Sequence, residues 1–78
     1  VYYYCYDKQA TYCYNLSSKK TMKLIDKNVT ILTTKGKYMV VECFLSQKEF
    51  EKTGKTNEIA IMKKSGKGYK KLIRFYVS

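Results

Sequence analysis

Three cysteines are the residues of this sequence with the most reactive side chains. A thiol can form a disulfide, bind a metal ion or act as a nucleophile. The three are Cys5, Cys13 and Cys43, and no two of them form a CxxC pair. The chain also contains no histidine. This spacing argues strongly against a structural zinc site, and the missing imidazole removes the usual partner of a catalytic cysteine or serine.

The acidic residues show no paired spacing of the kind that acid–base catalysis uses. The six are Asp7, Asp26, Glu42, Glu49, Glu51 and Glu58. The segment SGKG lacks the spacing and the strand-to-helix context of a phosphate-binding loop. Lysine or tyrosine could still act as an acid or a base without any motif. We nevertheless predict that the protein is not an enzyme and that it uses no cofactor and no metal ion.

The charge of the chain is strongly unbalanced. Sixteen Lys and Arg residues stand against six acidic ones, which gives a net charge of +10. Such an excess predicts attraction to nucleic acid, to an anionic surface or to an acidic protein. The alternative is a lysine-rich surface that serves solubility and has no specific partner.

The last twenty residues hold a cluster of cations and no acid. We predict a polyanion-binding set there, made of Lys63, Lys64, Lys67, Lys70, Lys71 and Arg74. Basic residues beside aromatic rings, here Tyr69 and Tyr76, are typical of grooves for single-stranded nucleic acid. The alternative is an edge hairpin that its lysines protect from aggregation.

The N-terminal segment VYYYCYDKQATYCYN predicts a β-hairpin. If Tyr6 pairs with Tyr12, then Cys5 faces Cys13, and we predict a disulfide between these two thiols. The same register places a ladder of tyrosines on the opposite face, which we predict to be an interaction surface. Its members are Tyr2, Tyr4, Tyr6, Tyr12 and Tyr14. The alternative is two unpaired thiols, because three cysteines allow three pairings and the sequence does not settle which one forms.

A second hairpin is predicted from NVTILTTKGKYMVVECFL. A three-residue loop over 34–36 places glycine at the left-handed position of a bulged turn. That loop sets Ile31 opposite Met39. Because side chains alternate along a strand, Cys43 shares the face of Met39 and Val41. We therefore predict that Cys43 is a buried free thiol.

The segment LSQKEFEKTG predicts a short helix over residues 47–53. Ser46 is an N-cap candidate, and Glu49 follows three residues later, which is the spacing of a capping box. Gly54 is placed to end the helix.

The C-terminal segments NEIAIMKK and YKKLIRFYVS predict a third hairpin. Pairing Ile61 with Ile73, and Ile59 with Phe75, gives one apolar face. A weaker strand is predicted over 21–25. Together these elements predict one α+β domain over residues 1–78 that is mainly β. We expect a small antiparallel sheet or open barrel of about six to seven strands with one short helix.

Two functions fit these features. The first is a basic, non-catalytic interaction module that binds an acidic protein or an anionic surface through the tyrosine ladder and the lysine-rich hairpin. Its export, to a periplasm or to the outside of the cell, is predicted from the disulfide and from a chain that begins at Val1 rather than at Met. The alternative is a cytoplasmic nucleic-acid-binding domain that uses the C-terminal basic hairpin. No segment approaches the length of apolar residues that spans a bilayer.

Overall fold

Seven strands and one helix make up the computed structural model, which describes all residues from Val1 to Ser78. The elements are β1 Tyr2–Cys5, β2 Ala10–Asn15, β3 Lys20–Ile25, β4 Asn28–Lys35, β5 Tyr38–Phe44, α1 Gln47–Thr53, β6 Asn57–Lys63 and β7 Lys70–Phe75. This order confirms the predicted fold class, which is mainly β with one short helix. The strands form two open antiparallel sheets, with the orders β1-β2-β3 and β4-β5-β6-β7, and they do not close into a barrel.

The core lies on one face of the four-stranded sheet. Side chains alternate along β5, so Met39, Val41 and Cys43 point to the same side, and all three are buried. Leu24 of β3 joins this cluster from the three-stranded sheet. The prediction for Cys43 is confirmed, since it is both buried and free. Burial raises the pKa of its thiol, and a buried protonated thiol is chemically inert.

The predicted register of the N-terminal hairpin is wrong. Tyr2 lies opposite Cys13, and Cys5 lies opposite Ala10. The chain reverses over residues 6–9, where Gln9 adopts a left-handed backbone with φ 51°. Because facing residues share a side, this register puts Cys5 and Cys13 on opposite faces of the sheet. The predicted disulfide is therefore wrong as well, and both cysteines are free.

The predicted tyrosine ladder does not form on one face. The same register divides its members, with Tyr2 and Tyr4 on one side of the sheet and Tyr12 and Tyr14 on the other. A different cross-strand pair does form, because the ring of Tyr12 stacks on that of Tyr3 with 5.8 Å between centroids. The aromatic residues of β1 and β2 thus cover both faces of a thin sheet.

The central hairpin differs from its prediction in turn and register. The chain reverses at residues 36–37, with Gly36 at φ 60°, so the predicted three-residue loop is wrong. The strands stay in a coherent arrangement because the register shifts between Ile31 and Thr33. This β-bulge sets Ile31 opposite Val41, which keeps the apolar side chains of β4 on the core side.

In the C-terminal hairpin, the face of β6 that packs against the core is the opposite of the predicted one. Ile59 lies opposite Ile73, and Ile61 lies opposite Lys70, so the predicted pairs are wrong. The reason is β5, whose buried Met39 and Val41 lie opposite every second residue of β6. Those inward residues of β6 are Glu58, Ala60 and Met62. The isoleucines are left on the outer face.

The helix has its predicted bounds, but only half of the predicted capping box forms, because the Glu49 carboxylate is bound to Arg74. Helix α1 spans Gln47–Thr53, and the hydroxyl of Ser46 accepts a hydrogen bond of 3.2 Å from the backbone N–H of Glu49. Gly54 ends the helix in the left-handed conformation at φ 73°, and its N–H donates to the carbonyl of Phe50. The sequence signals for this element are local, which is why they specify it without knowledge of the sheets.

The cap can be tested by one substitution. Ser46→Ala removes the acceptor for the Glu49 N–H and should lower the free energy of unfolding by about 1 kcal/mol. The measurement is the urea midpoint at constant slope, with Ser18→Ala as control, because Ser18 lies in an exposed turn and its hydroxyl makes no hydrogen bond within the chain. Equal midpoints for the two variants would contradict the cap assignment.

Candidate interaction surface

The side of the four-stranded sheet that faces away from the core carries an apolar patch open to solvent, with Glu42, opposite Ile59, at its margin and bonded to Asn57. We call this set of residues the outer face: Tyr38, Val40, Ile59, Ile61 and Ile73. All of them are partly or largely exposed, and Ile73 keeps 59% of its surface accessible. The register explains the arrangement, because Val40 lies opposite Ile61, and Ile59 lies opposite Ile73. Contiguous apolar surface of this kind marks interaction sites, since water is a poor partner for it.

A shallow groove runs along one part of the outer face. Its volume is about 380 Å³. Tyr38, Val40 and Ile61 line it, together with Thr33 and Lys35 of β4. The groove therefore combines an apolar floor with a cation at its border, which is the composition of the centre and rim of many protein interfaces.

The hairpin turns collect lysines at one end of the same sheet. We call this set the cationic end: Lys35, Lys37, Lys63, Lys64 and Lys67. The turn between β4 and β5 lies beside the end of β6, because the N–H of Lys64 donates to the carbonyl of Lys37 at 2.9 Å. Lys35 and Lys37 are not in the set of cations predicted from the sequence. The available signal was topological, since alternate turns of an antiparallel meander lie at the same end of the sheet.

No carboxylate neutralises the cationic end. The ion pairs of the chain are Lys23 with Asp26, and Arg74 with Glu49 and Glu58. All of these acidic residues lie at or near the other end of the four-stranded sheet, where β4 begins and β5 ends. Unpaired lysines in one place create a positive potential that attracts an acidic partner and speeds its association.

The cationic end and the outer face are continuous. Tyr38 is flanked across the sheet by Lys35 on β4 and Lys63 on β6. Lys70 lies opposite Ile61. Facing residues share a side, so these three lysines lie beside residues of the outer face, and Lys35 also lines the groove. A partner could then bury apolar side chains and neutralise charge in a single contact.

Arg74 does not belong to the lysine cluster, although the sequence grouped it there. Its Nε donates to Oε1 of Glu58 at 2.7 Å, and a terminal nitrogen of its guanidinium lies 3.3 Å from Glu49. Glu58 keeps only 2% of its surface accessible. Burial would raise the pKa of the Glu58 carboxyl, but the hydrogen bonds from Tyr69 and Arg74 outweigh burial and hold that pKa below its usual range. Arg74 therefore compensates a buried charge.

Tyr69 belongs to the same buried cluster. Its hydroxyl donates to Oε2 of Glu58, and the ammonium of Lys27 lies 4.9 Å from the centre of its ring. Burial, followed by the hydrogen bond to Glu58, raises the pKa of the Tyr69 hydroxyl, so the group stays protonated. With one end of the side chain bonded and the ring beside a cation, Tyr69 is not a free platform for a nucleotide base.

The remaining predicted tyrosines are spread over the surface. Tyr76 is largely exposed and stacks on Phe50 of the helix at 6.2 Å between ring centroids. Tyr6 lies in the first turn with 83% of its surface accessible, and its ring meets Tyr4 edge-on at 5.0 Å. Neither Tyr6 nor Tyr76 is part of the outer face.

A second cleft, of about 360 Å³, opens between the two sheets near the helix. Tyr4 lines it from the first sheet, and Lys27, Cys43 and Glu49 line it from the other side. Its one helix carboxylate, Glu49, is already paired with Arg74. No group of three or more His, Cys, Asp or Glu side chains in the chain could hold a metal ion.

No protein family, no curated protein and no solved structure matches this chain. No helix of the structure has the length and apolar character needed to cross a membrane.

Proposed function

We propose that this protein is a non-catalytic binding module that takes an acidic protein partner on its outer face and cationic end. The observation that carries the proposal is an apolar sheet face bordered by lysines that have no carboxylate partner. An apolar centre supplies affinity when it is removed from water, and a charged rim selects the partner by its sign.

The net charge of +10 also decides which partner the surface favours. A second copy of the chain would bring lysines against lysines and would be repelled. An acidic protein is attracted over a distance of about 10 Å at ordinary salt concentration, and its apolar side chains can then occupy the groove. The same reasoning supports a partner with alternating acidic and apolar residues over one that is only acidic.

Nucleic acid is the second candidate, and the cationic end is the observation in its favour. Binding of single strands also needs aromatic rings on which bases can stack. Tyr69 is engaged with Glu58 and Lys27, and the outer face is mostly aliphatic, so the surface offers charge without a row of rings. Export was predicted partly from a disulfide that does not form, and the present proposal concerns the surface and no particular compartment.

The proposal is tested with two labelled octapeptides of equal charge. One alternates Glu with Val, and the other alternates Glu with Ser. Fluorescence anisotropy should give a dissociation constant at least about tenfold lower for the Glu–Val peptide, because only that peptide fills the apolar groove. Ile61→Thr should remove this preference, and Leu16→Thr should keep it, because Leu16 is an exposed residue of the β2–β3 turn outside the outer face.

Two results would count against the proposal. Equal affinities for the two peptides would mean that the lysines attract any polyanion and that the apolar face takes no part. Oligothymidylate binding that is tighter than Glu–Val binding, and that Tyr76→Ala weakens at constant salt, would favour the nucleic-acid function instead.

A further inference from the structure

We infer that the acidic partner binds as an extended strand that pairs with β7 and so adds a fifth strand to the sheet. This inference rests on the proposed function and specifies the geometry of binding. Strand β7 is at the edge of its sheet and pairs only with β6. An edge strand presents unpaired backbone N–H and C=O groups, which a segment of another protein can use to bind.

Two of the other sheet edges, β3 and β4, are less suited to this role. Strand β4 is the opposite edge of the four-stranded sheet, but the N–H of Val29 is already bound to the hydroxyl of Thr11 on β2, at 3.1 Å. Strand β3 is in close contact with the β6–β7 loop, where Gly66 meets the carbonyl of Leu24. Strand β7 is the edge that continues the outer face.

The side chains of β7 carry the chemistry that such a strand would recognise. Leu72 and Ile73 are more than half exposed, with 55% and 59% of their surfaces accessible. Lys70 and Lys71 precede them and are exposed as well. Every second residue of an added strand would point to the outer face beside Ile73 and extend the apolar row that Ile59 begins.

The lysines also determine the charge of the occupant. Lysines on an edge strand discourage pairing with a neutral or basic strand, because like charges directly opposite one another are destabilising. A second copy of β7 would bring a further set of lysines to the same edge, and this like charge disfavours self-pairing. A strand with glutamate or aspartate at the positions that face the lysines is attracted to them. The segment that fits this edge therefore alternates acidic and apolar residues.

Backbone methylation of the Glu–Val octapeptide tests the strand geometry. N-methyl groups on alternate residues block one edge of the peptide and leave the other edge free. One of the two methylated series should lose at least about tenfold in affinity, because main-chain hydrogen bonds supply much of the binding in strand addition. The other series should bind like the unmodified peptide.

The outcomes separate this inference from the proposed function. If both methylated series bind like the unmodified peptide, strand pairing is wrong, and docking on the outer face remains. If the unmodified Glu–Val peptide has no advantage over the Glu–Ser peptide, the proposed function is wrong and the strand geometry with it.

A pair of charge variants locates the strand. Lys70→Glu with Lys71→Glu should weaken binding of the Glu–Val peptide by at least about tenfold. The control, Lys48→Glu with Lys55→Glu, changes the net charge equally on exposed positions in and just after the helix and should have a smaller effect. Circular dichroism checks that both variants fold. Equal losses would overturn the assignment to β7, because they would reflect total charge alone.

Discussion

Gly66→Ala should lower the free energy of unfolding by about 3 kcal/mol or more. Gly66 adopts φ +90°, which L-residues rarely do, and a Cβ built there would lie 2.0 Å from the carbonyl oxygen of Leu24. That oxygen belongs to the backbone of β3 and cannot move aside as a flexible side chain could. The substitution therefore has to push the β6–β7 loop away from the three-stranded sheet. Urea unfolding followed by circular dichroism measures the loss.

The matched control is Gly36→Ala. Gly36 also has a positive φ, of +60°, but no atom lies within 4 Å of a Cβ placed on it. Only the backbone penalty applies there, which is about 1 kcal/mol. If the two variants lose the same stability, the contact between the loop and Leu24 contributes nothing, and the described packing of the two sheets would be in error.

Glu58→Ala should lower the free energy of unfolding by about 3 kcal/mol. The substitution leaves the Tyr69 hydroxyl without its acceptor and removes the partner that lies 2.7 Å from Arg74 Nε. Breaking a buried ion pair from one side is costly, because the remaining group stays buried without compensation. Arg74 retains Glu49 and some contact with solvent, which keeps the loss at the lower end of the range for such pairs.

The control is Asp26→Ala, whose ion pair with Lys23 is largely exposed. Exposed pairs contribute less than about 1 kcal/mol, so this variant should unfold almost like the unmodified protein. If Asp26→Ala lowered the free energy of unfolding as much as Glu58→Ala, burial of the ion pair would not explain its contribution to stability.

The contribution of Glu58 should also depend on pH. Its pKa is lower in the folded protein than its ordinary value of 4.5, so the unfolded chain binds more protons between these two values. The stabilisation is therefore complete above about pH 4.5 and is lost as the pH falls through the folded pKa. The stability difference between the unmodified protein and Glu58→Gln, measured by urea unfolding, should shrink below pH 4.5. A difference that stays constant down to pH 2 would contradict the lowered pKa.

The order of elements and the helix could be predicted because their signals are local. Ser46 and Gly54 identify the two ends of α1 by their own chemistry. The burial of Cys43 followed from alternation along β5 alone. In each case the residues that decide the structure are close together in the sequence.

The registers could not be predicted, because they depend on bulges and turns that small energy differences decide. The register shifts between Thr11 and Tyr12, between Ile31 and Thr33, and between Ile59 and Ala60. A register shift of one residue moves each later side chain of the strand to the opposite face of the sheet. The tyrosine ladder and the disulfide were mispredicted because the turn over residues 6–9 sets a different register between β1 and β2. The inward face of β6 was mispredicted because its pairing with β5 decides it.

Only part of the site could be predicted from the sequence. The lysines of the C-terminal hairpin were found from composition, but their continuity with an apolar face required the knowledge that Ile59 and Ile61 point outward. The role of Arg74 was hidden for the same reason, because an acidic residue in an apolar strand such as Glu58 gives no indication of which side it faces. Burial of Glu58 is a tertiary property, set by the core side of β5.

The two sheets also have a consequence for how the chain folds. Every strand pairs with a neighbour in sequence, so each sheet can form from short closures of the chain, and such topologies fold quickly. The contact between Leu24 and Gly66 is different, because it joins segments that are distant along the chain. A three-stranded sheet with few buried residues has little stability of its own. We therefore expect residues 1–25 to become ordered late, as a unit that docks onto a preformed C-terminal sheet, and to detach first when the protein is destabilised.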